Sequence, residues 1–176
     1  EVLDLPPLVT EKPDAKPLPT GPAGVEFSHV GFSYPRADEV SLASLEAVAR
    51  TTSRRDGPVL TDVSFSVAPG KMLALVGPSG AGKTTITQLI ARLYDASEGT
   101  VRVADTDVRD VTLESLHSTV GAVTQDAHLF HDTIRSNLIY AKPGATEADV
   151  WKACDDANIG ELIRSFEVGV GNTLKK

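Results

Sequence analysis

Positive charge is in short supply. Seventeen Lys and Arg stand against 24 Asp and Glu, a net charge of −7 over 176 residues. That balance excludes the basic stripe of a nucleic-acid binder and direct adsorption to an anionic membrane surface. Aromatic residues make up only 5%, so the core has to rest on Val, Leu, Ile and Ala. Cys154 is the single cysteine. It excludes an internal disulfide and fits a reducing compartment. Nothing beside it in sequence lowers a thiol pKa, so it reads as a half-buried structural residue. No apolar run approaches the ~20 residues that cross a bilayer. "EVLDLPPLVT" at the start has neither the basic opening nor the apolar stretch of a secretory signal. The length suits one domain of ordinary size.

Proline is concentrated. Six of the eleven prolines fall within residues 1–24, where they forbid a helix and predict an extended linker. "VEFSHVGFSYP" follows with the alternation of a strand. Its phase slips by one residue near Ser28 and His29, which predicts a bulge; His29 reads as a strand-surface residue. Residues 36–58 form an insertion, expected to be flexible, with a short amphipathic helix on Leu42, Leu45 and Ala49. "VLTDVSFSV" alternates as a half-buried strand. "MLALV" is a short apolar run that predicts a strand covered on both faces. A helix is expected from Lys83 to Tyr94, with Ile86, Leu89, Ile90 and Leu93 on one face. "TVRV" and "VGAVTQ" predict short strands, and "TLESLHS" a short helix. Asp132 is placed to cap a helix through Tyr140. Thr146 and Asp149 predict a capping box opening a helix that carries Val150, Trp151, Cys154 and Ala157.

The most specific stretch is "VGPSGAGKTT". Gly77, Gly82, Lys83 and Thr84 satisfy G-x-x-x-x-G-K-[ST], with an apolar run before and an amphipathic helix after. Glycines at 77, 80 and 82 allow backbone angles that turn consecutive N–H groups toward one anion. The helix start adds unpaired donors and partial positive charge. Gly77, Pro78, Ser79, Gly80, Ala81, Gly82, Lys83, Thr84 and Thr85 are therefore the candidate phosphate-binding residues. Lys83 can reach the β- and γ-phosphates, and the Thr84 hydroxyl can ligate Mg²⁺. The loop alone leaves ATPases, GTPases and nucleotide kinases open.

With that loop, three further stretches resemble the nucleotide-binding domain of ABC transporters of the exporter type. They are "VGFSYP", "VLTDVSFSVAPGKMLALV" and "VGAVTQDAHLFHDTIRSNL". The resemblance implies that Tyr34 stacks on adenine. It also implies that Gln125 senses Mg²⁺ and the attacking water and couples to the membrane domain. Thr124 stands where exporters often have Pro. The fold implied is α/β: a P-loop NTPase core of the ABC type, with an N-terminal antiparallel β part and the start of a helical subdomain. Residues 1–24 become a linker from a membrane domain, 25–176 a partial ATP-binding domain, and 126–176 a partial helical subdomain. ATP and Mg²⁺ are the implied cofactors. A second nucleotide-binding domain and a transmembrane domain are the implied partners, at the cytoplasmic face of a membrane.

The family's carboxylate pair behind an apolar strand, its Leu-Ser-Gly-Gly-Gln signature and its later switch His do not occur in these 176 residues. The sequence stops at Lys176, where the signature is expected, so the fold is expected to be incomplete and soluble. Self-association through an exposed sheet edge follows as an expectation. Binding of Mg-ATP without hydrolysis is the leading functional expectation. A non-hydrolytic, nucleotide-dependent dimerisation or interaction module is the alternative.

Overall fold

Leu60, Phe65, Phe27 and Val101 lie on neighbouring strands of one antiparallel sheet. The structure, a computed structural model, describes residues 7–35, 57–123 and 129–166. The chain divides into two units, residues 1–122 and 123–176.

In the first unit, β1 (Val25–Phe32) is flanked by β2 (Leu60–Val67) and β3 (Glu98–Val103), and β3 by the two-residue β4 (Thr106–Asp107). All three pairings are antiparallel. The slip predicted from the alternation is present: register breaks between Phe27 and Val30 against β2, and between Ser28 and Gly31 against β3. His29 takes the strain with φ 51°. It stands exposed, with Nδ1 2.7 Å from the Asp62 carboxylate. Phe27 and Phe65 stack at 4.6 Å between centroids. Each fully buried large apolar side chain stabilises by about 1.5–3 kcal/mol, and Phe27, Val30, Val103 and Leu116 are among those buried here.

Helix α1 (Lys83–Ile90) buries Thr85, Ile86 and Leu89. It is shorter than the expected run to Tyr94, because Arg92 adopts φ 50° and the chain turns. A 3₁₀ turn (Val108–Asp110) and helix α2 (Leu113–Thr119) follow β4. The described part of the Pro-rich segment, residues 7–24, forms no helix and is strapped to the unit. Lys16 bridges Val111 in parallel, Leu18 is buried, and its N–H donates to Ser115 Oγ at 2.9 Å. Arg92, itself buried, donates to the Thr10 carbonyl at 3.1 Å and to Asp95 at 2.9 Å.

Two predicted strands are corrected. Residues 72–76, "MLALV", run without strand pairing, with Met72 and Val76 almost fully exposed. The described part of "VGAVTQ", residues 120–123, is likewise unpaired. A strand exists only through a hydrogen-bonded neighbour, and among the described residues none lies beside either run. All of the 36–58 insertion except Gly57 and Pro58 lies outside the described residues.

The second unit holds α3 (Ile134–Ile139), α4 (Glu147–Asp156) and α5 (Gly160–Arg164) around Ile134, Val150, Cys154 and Ile163. The cap of α3 is Thr133, one residue later than expected. Its hydroxyl accepts from the Ser136 N–H at 3.0 Å, while Asp132 accepts from the Thr133 N–H. The capping box of α4 forms as predicted, with Thr146 and Asp149 reciprocally bonded. Cys154 is fully buried rather than half-buried, and burial pushes its thiol pKa up.

Candidate functional site

The glycine-rich loop from Gly77 leads directly into α1. Gly80 and Gly82 sit at φ 81° and 85°, a region closed to most side chains. Gly82 is the N-cap of α1. The helix ladder begins with Ile86 N–H to the Gly82 carbonyl at 3.0 Å, so the first-turn N–H groups before it have no partner within the helix. Those donors and the dipole make the head of α1 favourable for an anion.

Lys83 folds back over the loop. Its Nζ donates to the carbonyls of Gly77 and Pro78, both at 2.8 Å. Carbonyl oxygens are weak partners for an ammonium compared with phosphate oxygens, so this contact holds the charge at the loop mouth without neutralising it. Thr84 is exposed beside it. Thr85 points inward and is 4% exposed.

Tyr34 is brought to the same helix. Its hydroxyl donates to Gln88 Oε1 at 2.8 Å and lies 2.9 Å from Thr85 Oγ1. With its own proton directed to Gln88, the phenol oxygen accepts from Thr85. The ring meets Phe32 and Tyr94 edge-on, at 4.9 Å and 5.2 Å. The sequence-predicted loop and Tyr34 therefore share one frame, α1. Gln125 and Thr124 lie outside the described residues. Gln88 was missed by the motif reading. Its spacing of three from Thr85, which puts both on one helical face, is the signal that points to it.

The donor set fits a polyphosphate: left-handed glycines, first-turn N–H groups, one ammonium and one exposed hydroxyl. Among the described residues no group of three or more His, Cys, Asp or Glu could hold a metal ion. A divalent cation here would take the Thr84 hydroxyl and the phosphate oxygens themselves as ligands, the arrangement Mg²⁺ favours. Among the described residues no helix is long and apolar enough to cross a membrane.

A family model described as "ABC transporter" matches residues 60–171. The chain is 41% identical over 175 residues to the heavy metal tolerance protein of Schizosaccharomyces pombe, covering 99% of this chain and 19% of that protein. It is 41% identical over 162 residues to the mitochondrial iron-sulfur clusters transporter atm1 of Aspergillus fumigatus, covering 92% and 20%. Among solved structures, a bacterial Atm1-family ABC exporter with ATP bound matches with a TM-score of 0.79 at 35% identity, over 96% of this chain and 26% of that one. The chain thus spans about a fifth of the length of the curated relatives it matches.

Proposed function

The chain belongs to the ABC transporter family, and from that premise we propose that it holds Mg-ATP at Gly77–Thr85 as the ATP-binding part of a transport ATPase. The observation that carries the reading is Lys83 held on the Gly77 and Pro78 carbonyls at the head of α1. An incoming phosphate offers the ammonium stronger acceptors than those carbonyls. Gly80 and Gly82 let the backbone close on the anion, the first-turn N–H groups bind its oxygens, and Thr84 orients the cation. Bound Mg-ATP supplies the phosphoanhydride whose cleavage drives transport. Tyr34 is the platform for adenine, and Gln125 senses the cation and couples to a membrane domain. The parent protein cleaves ATP between two such domains at the cytoplasmic face of a membrane.

These 176 residues hold neither the signature loop nor a carboxylate pair behind an apolar strand. The chain by itself therefore binds Mg-ATP weakly and hydrolyses it negligibly. Calorimetry with the full chain is expected to detect binding, weakened at least tenfold in Lys83→Ala by loss of a charge-assisted contact. Steady phosphate release that disappears in Lys83→Ala would overturn the non-hydrolytic part. Equal ATP affinity in both proteins would overturn the site.

A further inference from the structure

We propose that Gln88, through the Tyr34 hydroxyl it shares with Thr85, is a positioning residue that sets how strongly the site prefers a nucleoside triphosphate over bare polyphosphate. The inference rests on the reading of Tyr34 as the base platform and goes one step further, to what aims that platform.

The geometry is specific. A tyrosine ring held only by packing can turn about its side-chain torsions. This one is tied at its tip to two side chains, Thr85 at 2.9 Å and Gln88 at 2.8 Å. Those two residues stand three apart on α1, so they lie on one face. The same helix opens with Lys83, about 3 Å along the axis from Thr85. The ring is further braced edge-on by Phe32 and Tyr94. Base platform and phosphate loop are therefore fixed to one rigid element. A ligand carrying both a base and phosphates meets two contacts already set at a fixed separation. Bare tripolyphosphate uses only one of them. Loosening the ring at its tip costs the first ligand and spares the second.

A structural role for Gln88 alone would lower stability and weaken both ligands together. The ratio of the two affinities separates the cases. The full chain is titrated with Mg-ATP and with Mg-tripolyphosphate by calorimetry, with folding checked by circular dichroism. In Gln88→Leu the preference for ATP is expected to fall about three- to tenfold, the weight of one hydrogen bond, with tripolyphosphate affinity unchanged. Tyr34→Phe, which keeps the ring and removes the hydroxyl with both of its bonds, is expected to lose at least as much, and the double variant to lose no more than Tyr34→Phe. Gln88→Glu, whose carboxylate still accepts from the phenol, is expected to keep the preference. If Gln88→Leu does not fold, Tyr34→Phe decides. Tyr34→Ala separates the two levels of the argument. A preference lost in Tyr34→Ala but kept in Gln88→Leu and Tyr34→Phe overturns the positioning role and leaves the platform standing. A preference kept in Tyr34→Ala overturns both.

Discussion

At Gly82 two constraints coincide. The backbone is left-handed at φ +85°, and a Cβ there would lie 2.6 Å from Leu60 Cδ2. Gly80 has nearly the same φ, +81°, but nothing within 4 Å of an added Cβ. The two glycines thus separate backbone strain from crowding. Gly80→Ala is expected to cost about 1–2 kcal/mol for the left-handed residue alone. Gly82→Ala is expected to cost a further 1–3 kcal/mol or so for overpacking against Leu60. Urea unfolding midpoints check this, and equal losses would show that Leu60 yields freely. The glycines were legible because the motif demands backbone freedom at those places. Gln88 was not, because its partner is a tyrosine more than fifty residues earlier; the spacing from Thr85 marks a shared helical face but does not name what meets it.

Among the helices, α4 carries its own start signal. Thr146 and Asp149 close a capping box. The Asp149 pKa is lowered from its ordinary 3.8, chiefly by the backbone hydrogen bond from Thr146. A carboxylate with a depressed folded pKa contributes stability that is complete above its unfolded value and lost as pH falls through the folded one. The helix start is therefore intact at neutral pH and weakens below about pH 4, the unfolded carboxylate value. Thr146→Ala is expected to destabilise by about 0.5–2 kcal/mol at pH 7, and its gap from the parent chain to narrow below pH 4. Thermal melts at pH 7 and pH 3 test it; a constant gap would mean the Thr146 hydroxyl acts independently of the carboxylate, whose bond from the Thr146 backbone N–H survives the substitution. This cap was readable because both partners lie within one turn. The β1 bulge was readable because an alternating strand cannot change phase without one. "MLALV" was misread as a paired strand because its composition states burial while pairing depends on another segment.

Across the whole molecule, the Pro-rich segment shows how composition predicts conformation without predicting attachment. Six prolines keep it from forming a helix; they say nothing of the partners that hold it. Those are the Arg92 guanidinium on the Thr10 carbonyl, Glu11 accepting from the Leu113 N–H, and Lys16 paired beside Val111. Arg92 is 3% exposed, and its Nη1 has no hydrogen-bond partner among the described residues. Its removal opens a cavity and releases Thr10 and Asp95. Arg92→Ala is expected to cost about 2–4 kcal/mol and to speed hydrogen exchange at the Lys16 amide, which donates to the Asp110 carbonyl. Lower stability with exchange at Lys16 unchanged would show the strap to be held without Arg92.

Met72–Val76, the run that enters the phosphate loop, is without a backbone hydrogen bond among the described residues. Fixing an unpaired residue costs about 1–2 kcal/mol of conformational entropy. A ligand that closes the loop draws on its own binding free energy to order this arm. A strand already lying beside the arm has met that cost before the ligand arrives. Loop and arm share one entropy term, so affinity for any phosphate ligand rises with whatever pairs with Met72–Val76. Phosphate affinity at the proposed site is in this sense a property of the arm's neighbours as much as of the loop.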